Sequence, residues 1–279
     1  MRKIRKAAKV VRPTAMQEGA GVLLKRVIGT NSLSYVDPFL LLDHFGSDEP
    51  DDYMKGFPDH PHRGIETVTY MLSGSSKHRD SEGNEGIIES GGVQWMTAGS
   101  GIIHEEMPQL DGEKLEGFQL WVNLPAKSKM MKPRYREFKK DEIPKVEKHS
   151  GERVRVIAGE YEGIEGAITE LEAAGGFLDV DLPPEEGFKC QTSRSDNAVL
   201  YIYEGSGEIE GERYEGPVLI VLEEGELVHF VSGTRGARFL LIFGEPLDEP
   251  IARYGPFVMN TREEIATALE ELSKGEFVK

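Results

Sequence analysis

His60-Pro-His-Arg-Gly-Ile-Glu-Thr-Val-Thr-Tyr-Met-Leu-Ser-Gly74 is the stretch from which the fold is read. From Glu66 to Leu72 it is a run of β-branched and aromatic residues closed by a Ser-Gly turn, the composition of a strand. The pattern returns as Gln191-Thr-Ser-Arg-Ser-Asp-Asn-Ala-Val-Leu-Tyr-Ile-Tyr-Glu-Gly205. Without gaps, Arg63 falls on Arg194, Tyr70 on Tyr201 and Gly74 on Gly205. Farther on, Gly101-Ile-Ile-His104 resembles Gly225-Glu-Leu-Val-His229 at slightly different spacing. Self-similarity of this kind marks two copies of one structural unit. Working outward, Gly92–Thr97, Gly117–Asn123, Ala198–Tyr203 and Arg238–Phe243 are further strand-like runs, separated by Gly, Asp, Asn and Ser clusters. The expected class is all-β, of sandwich or barrel type.

One helix is expected, at the end of the chain. Thr261-Arg-Glu-Glu264 has the capping-box pattern, and Ile265, Ala268, Leu269 and Leu272 follow at helical spacing. That apolar stripe has to dock on something. Between the two copies lies a basic stretch with Lys127, Lys129, Lys132, Arg134, Arg136, Lys139 and Lys140, interrupted by Pro133 and Pro144. It reads as a solvated linker, with a docking patch for an acidic partner as the functional alternative. The expected division is therefore residues 1–130 for a first β-domain, 131–150 for a basic linker, and 151–279 for a second β-domain ending in the helix.

With 279 residues, 38% of them hydrophobic, the chain can build two ordinary cores. A net charge of −16 excludes a surface that grips phosphate backbones unaided, so no direct nucleic-acid partner is expected. A single cysteine, Cys190, rules out an internal disulfide and fits a reducing compartment; its ordinary reading is a small buried side chain. No apolar run is long enough to span a bilayer, and residues 1–12 lack the apolar core of a secretory signal. The expectation is a cytoplasmic protein without a membrane partner.

The chemistry resides in the first copy. Alternate residues of a strand share a face, so His60 and His62 converge, and so do His104 and Glu106. Three of the seven histidines fall in these two places. Three imidazoles and a carboxylate suit a borderline divalent ion, whether iron, manganese, cobalt, nickel, copper or zinc. A lone His-x-His pair would more simply be two ordinary strand histidines; a second pair reverses that balance. Glu66, four residues after His62, competes with Glu106 for the carboxylate position by the same parity. In the second copy the gapless alignment puts Gln191, Ser193 and Asn197 at the positions of His60, His62 and Glu66, and the downstream match puts Val231 at that of Glu106. Only His229 survives there, so a metal is expected in the first domain alone. Met54, Phe57, Trp95 and Met107, with Glu66, are near enough to line a pocket mouth, although core packing explains each of the apolar four as well. His44, His78 and His149 are expected to be ordinary surface or core histidines. No P-loop, nucleophile elbow or dinucleotide fingerprint is present.

Taken together, Gly56-Phe-Pro-Asp-His-Pro-His-Arg-Gly64, Gln94-Trp-Met-Thr-Ala-Gly99, Gly101-Ile-Ile-His-Glu-Glu-Met-Pro108, Gln119-Leu-Trp-Val-Asn-Leu124 and Tyr254-Gly-Pro-Phe-Val-Met-Asn260 resemble the pirin family of the cupin superfamily. The resemblance runs from about residue 20 to the last helix. It implies two tandem jelly-roll-like antiparallel β-barrels, a bicupin, with metal only in the first. It implies His60, His62, His104 and Glu106 as the ligands, although many other cupins use a glutamate at the Glu66 spacing. It implies one divalent ion, most often Fe(II). Some members oxidise quercetin with dioxygen, so a flavonol-like aromatic and O2 become the expected partners. Glu106 is then a candidate general base as well as a ligand. Other members are described as regulators that bind a protein partner and respond to the metal's redox state; that is the alternative to catalysis. A purely structural metal would favour a closed tetrahedral zinc site.

Overall fold

A computed structural model describes residues 2–110, 114–173 and 175–279. It is built almost wholly of antiparallel strands; four of the five expected strand runs lie inside strands, and the fifth, Gly92–Thr97, does so from Val93 onward. The chain divides into two compact units. One comprises Thr14–Lys140 with Leu247–Lys279, and the other Met1–Pro13 with Asp141–Pro246. This differs from the division expected from the sequence: each unit takes a terminal segment from the other end of the chain, and the last helix belongs with the first half. Part of the expected linker is not a linker, because Arg134–Phe138 is an edge strand paired with Val93–Thr97. Its basic side chains alternate with Tyr135 and Glu137, a pattern that serves a half-covered edge as well as it serves a loop.

The unit holding His60, His62 and His104 has two large sheets and a two-stranded one, Ala252–Tyr254 with Phe257–Met259. A four-stranded sheet runs Phe57–His62, Ile102–Gln109, Ser75–Asp80, Glu85–Ile88. A seven-stranded sheet runs Arg134–Phe138, Val93–Thr97, Ile65–Ser73, Leu115–Asn123, Phe39–Ser47, Val22–Ile28, Thr14–Glu18. In the other unit the same order recurs within one nine-stranded sheet: Ala7–Val11, Val218–Leu222, Asn197–Ile209, Leu227–Gly244, Gly176–Leu182, Arg153–Ala158, Lys145–Glu147. There the two long strands, Asn197–Ile209 and Leu227–Gly244, also carry Glu212–Glu215 and Gly187–Gln191. The repeat is thus one jelly-roll-like plan used twice, with open sheets rather than hydrogen-bonded closed barrels. Ala7–Val11 occupies in one unit the edge position that Arg134–Phe138 occupies in the other.

The last helix, Arg262–Lys274, starts at the expected capping box: Thr261 accepts from the Glu264 backbone N–H, and Glu264 accepts from that of Thr261. Gly275, at φ +74°, ends it. Ile265 and Ala268 pack with Phe257, Met259, Phe277 and Ile103, whereas Leu269 stays exposed. The segment is tied to the histidine-bearing strand by Arg63, which is buried. Arg63 donates to the carbonyl of Ser100, pairs with Glu271 at 2.6 Å and lies 4.4 Å from the Phe277 ring centroid. Gly64 is required beside it: φ is +76°, and a Cβ would collide with the Val258 carbonyl. No helix among the described residues is long and apolar enough to cross a membrane.

Candidate metal centre

His60 and His62 lie on the edge strand Phe57–His62, which pairs with Ile102–Gln109 so that His60 faces His104 and His62 faces Ile102. Between His104 and Glu106 the register shifts, and Glu106 comes opposite Phe57. The shift is a bulge, a device that re-aims side chains next to functional sites. His60, His62 and His104 converge, and their ring nitrogens lie within 4.8 Å of one another. The ring centroids are 4.3 to 5.0 Å apart.

Each ring has one nitrogen engaged by protein and one turned to the common centre. His60 donates from Nδ1 to the Pro58 carbonyl at 2.9 Å. His62 is held by the Pro256 carbonyl, and its buried Nδ1 has no partner. His104 uses Nδ1 toward His78, and its buried Nε2 has no partner. Buried polar atoms are rarely left orphaned, so two aimed at one point are the signature of a missing electrophile. Burial, first, and the neighbouring imidazoles, second, hold the pKa values of His62 and His104 well below the ordinary histidine value. Both rings therefore offer the neutral lone pair that metal coordination needs. The donor set fits a divalent ion.

Glu106 is buried in the same cavity and accepts a hydrogen bond from Thr69 Oγ1 at 2.7 Å. Its carboxylate is not part of the tight cluster formed by the three imidazoles. Glu66 is elsewhere. It accepts from Thr97 Oγ1 at 2.6 Å and lies 3.6 Å from Arg136 and 4.0 Å from Arg134. The parity argument from His62 fails because the left-handed turn at Gly64 separates two strands of different sheets. Burial pushes the Glu66 pKa upward, against the pull of Thr97 and the two arginines.

The cavity over the histidines holds about 560 Å³, in the usual range for small-molecule sites. Phe57 lines it. The remaining expected residues are placed differently: Met54 packs against the Val22–Leu24–Phe45 cluster, Trp95 is wholly buried in the sheet, and Met107 alternates away from Glu106. Several lining residues were not anticipated, Trp121, Arg253 and Gln119 among them. Trp121 stands edge-on to His62 with centroids 5.0 Å apart, and Arg253 lies 5.1 Å from the Trp121 ring. Gln119 shares the face of Trp121 by simple alternation, so both were readable once the inward parity of Leu115–Asn123 was known. Arg253 sits in the C-terminal segment, and nothing local marks it. His78, expected to be ordinary, is fully buried against His104.

Residues 21–122 match the Pirin family and residues 177–278 match the Pirin C-terminal cupin domain. The chain belongs to the pirin family. It is 47% identical, over 92% of its length and 93% of the relative's, to a Pseudomonas aeruginosa protein whose name proposes it as a quercetin 2,3-dioxygenase. It is 44% identical to a pirin-like protein of Caulobacter vibrioides, covering 98% of this chain and 99% of that one. A crystal structure of quercetin 2,3-dioxygenase from Acinetobacter baumannii superposes with a TM-score of 0.90 at 33% identity, covering 99% of both chains. The pirin-family relationship and the histidine cluster together imply a divalent metal here.

In the second cupin unit the equivalent strands pair Phe188 with Phe230 and Cys190 with Val228, as His60 pairs with His104 and His62 with Ile102. The inward-facing counterparts of His60, His62 and His104 are thus Phe188, Cys190 and Phe230. The alignment of the two repeats had placed Gln191, Ser193 and His229 there. It is off because chain length changes between strands, and a one-residue slip moves every side chain to the opposite face. His229, only partly buried, lies on the outer face.

Proposed function

We propose that the protein is an iron-dependent dioxygenase of the quercetin 2,3-dioxygenase type, acting on a flavonol-like aromatic with O2. The observation that carries this reading is the convergence of three imidazoles, two of them with a buried unpartnered ring nitrogen, beside a cavity of small-molecule size that His60 and His62 line. His60, His62 and His104 would hold Fe(II), with Glu106 as the fourth ligand. An ion held this way supplies a Lewis-acidic, redox-active centre that attracts an anionic substrate oxygen and couples the substrate's oxidation to dioxygen. The residues around it have separate tasks. Phe57 and Trp121 wall the cavity and suit a flat aromatic ring. The Glu106 carboxylate, oriented by Thr69, is placed to take the proton of an enolic hydroxyl entering beside it. Arg253 lines the same cavity 5.1 Å from the Trp121 ring centroid, where its cation can meet an anionic group of a ring stacked there.

The test is oxygen uptake with quercetin by protein reconstituted anaerobically with Fe(II), beside His62→Ala. Uptake matched by flavonol loss and carbon monoxide release, and absent in the variant, supports the dioxygenase. No uptake from protein shown to carry iron removes it and turns attention to a regulatory role with a protein partner.

A further inference from the structure

His78 is a buried histidine that the proposed reaction does not use. It sits on Ser75–Asp80, opposite Glu106 in the ladder, and its ring is 5.2 Å from that of His104. The two Nδ1 atoms are 3.4 Å apart. On its other side, His78 Nε2 meets Asp80 Oδ2 at 3.1 Å, and both side chains are wholly buried. Asp80 is itself fixed: Oδ1 accepts from the backbone N–H groups of Glu82 and Asn84, and Asn84 Nδ2 donates to both oxygens. The ring of Tyr135 covers His78 at 4.8 Å.

Proton placement follows from these contacts. A carboxylate held by several N–H donors is an acceptor, so the proton between Asp80 and His78 belongs to His78 Nε2. With one proton on the ring, His78 Nδ1 is an acceptor. The proton on the line joining the two imidazoles then belongs to His104 Nδ1, and His104 Nε2 is left with its lone pair, buried and without a partner. His60 and His62 are oriented differently, each by a backbone carbonyl. His104 alone is backed by a chain that ends in a buried carboxylate.

We propose that Asp80 and His78 are positioning residues that fix the tautomer of His104 and make it the most electron-rich of the three imidazoles, thereby setting the affinity and redox potential of the metal. The inference rests on the reading of His60, His62 and His104 as metal ligands, but not on any particular substrate. A partner that donates electron density through a ligating imidazole stabilises the higher oxidation state, and loss of such a partner typically weakens metal binding about ten- to a hundred-fold.

Asp80→Asn tests it without touching a ligand. The turn amides of Glu82 and Asn84 keep the carboxamide oxygen in the Oδ1 place, so the amide NH2 faces His78. That reverses the chain and drives the proton of His104 onto Nε2, the atom facing the metal. The expected result is Fe(II) binding at least about ten-fold weaker by anaerobic competition with a chelator, and a more positive Fe(III)/Fe(II) midpoint in the loaded variant. His78→Gln and His78→Phe supply a second arm that survives any folding defect of Asp80→Asn. Glutamine can still accept from His104, whereas phenylalanine fills the space without accepting. Positioning through the hydrogen bond predicts that His78→Gln stays near wild type while His78→Phe loses affinity; simple packing predicts the reverse order. Wild-type affinity and potential in both Asp80→Asn and His78→Phe overturn the proposal. A wild-type protein that turns over no flavonol but binds Fe(II) leaves the test intact, and one that binds no divalent metal overturns the ligand reading as well.

Discussion

The two cupin units share a strand order and differ in what fills the interior. In one, the positions that point inward from the short edge strand and its neighbour are His60, His62 and His104, and space remains above them. In the other they are Phe188, Cys190 and Phe230, joined by Phe239 and Tyr161 in a stack with centroids 4.7 to 5.4 Å apart. Burial lifts the Cys190 thiol to about 12, which makes it an inert core residue. A jelly roll can therefore be stabilised by a filled interior or can carry an open polar one, and this chain does both with one plan.

The sharpest way to break that contrast is to empty the filled interior. Phe239→Ala removes a fully buried ring that touches both Phe188 and Phe230. We expect a loss of about 3–5 kcal/mol in urea unfolding. His62→Ala in metal-free protein should cost far less, because the centre it leaves is a binding site and not a packed core. Equal losses from the two variants would remove the distinction.

How much of this was legible in the sequence depends on the range of the signal. The strand runs, the capped helix and the shared face of His60 and His62 follow from local periodicity, which survives in any tertiary setting; that His104 joins them depends on the pairing of two strands distant in sequence. The parity from His62 to Glu66 did not survive, because one left-handed glycine lies between them. The exchange of terminal segments was not legible either: Ala7–Val11 and Arg134–Phe138 are both ordinary edge strands, and which sheet each completes is decided by long-range pairing. His78 looked unremarkable for a related reason. Its partner Asp80 is two residues away and readable, but His104 reaches it only across the ladder.

A smaller effect separates the ways in which the two units hold their edge strands. Arg5, just before Ala7–Val11, is buried and donates to Thr192 Oγ1 and to the carbonyls of Ser193, Asp196 and Glu223. Lys129, just before Arg134–Phe138, is buried and donates to the carbonyls of Gly64 and Val258 and to Asn123 Oδ1. Replacing either by methionine strands several acceptors. We expect about 3 kcal/mol for Arg5→Met and about 2 kcal/mol for Lys129→Met, in that order because the guanidinium satisfies more of them. The lysine variant has a pH signature. Burial lowers the Lys129 pKa from 10.5 to about 8, so between those values the unfolded chain binds the extra proton. Wild-type stability then rises with pH across that window relative to Lys129→Met. An unchanged difference between the two proteins would show that the ammonium is not desolvated as the structure places it.

The open interior should also be more acid-sensitive than the filled one. In metal-free protein, His62 and His104 have folded pKa values below the ordinary 6.5, so the unfolded chain binds more protons once the pH falls under that value. Stability is fully present above 6.5 and declines as pH falls toward the folded values, by at most about 1.4 kcal/mol per pH unit for each histidine. A double variant, His62→Gln with His104→Gln, should flatten the unfolding profile in that window. The carboxylates lowered by their partners, Glu116 and Glu271, act only below about 4.5 and do not overlap it.

The smallest effect concerns the rim of the open interior, which the second unit has no reason to match. Arg253 donates to the carbonyls of Leu40 and Gly255, and among the described residues it has no carboxylate within ion-pair distance. Nearby Arg26, by contrast, is paired with both Asp43 and Glu18 at 2.8 Å. Arg253 is thus the cavity cation with charge left to offer, and its position over Trp121 puts it beside any ring stacked there. Exposure limits its worth, so Arg253→Gln should weaken binding of a flavonol carrying an acidic group by about 1 kcal/mol, roughly five-fold, and barely change a neutral analogue. Quenching of tryptophan fluorescence in metal-free protein reads this directly, since Trp95 is buried and Trp121 lines the site. Equal weakening of both ligands would assign Arg253 to shaping the rim and not to reading charge. No weakening of either would place the substrate deeper, against Phe57 and the histidines.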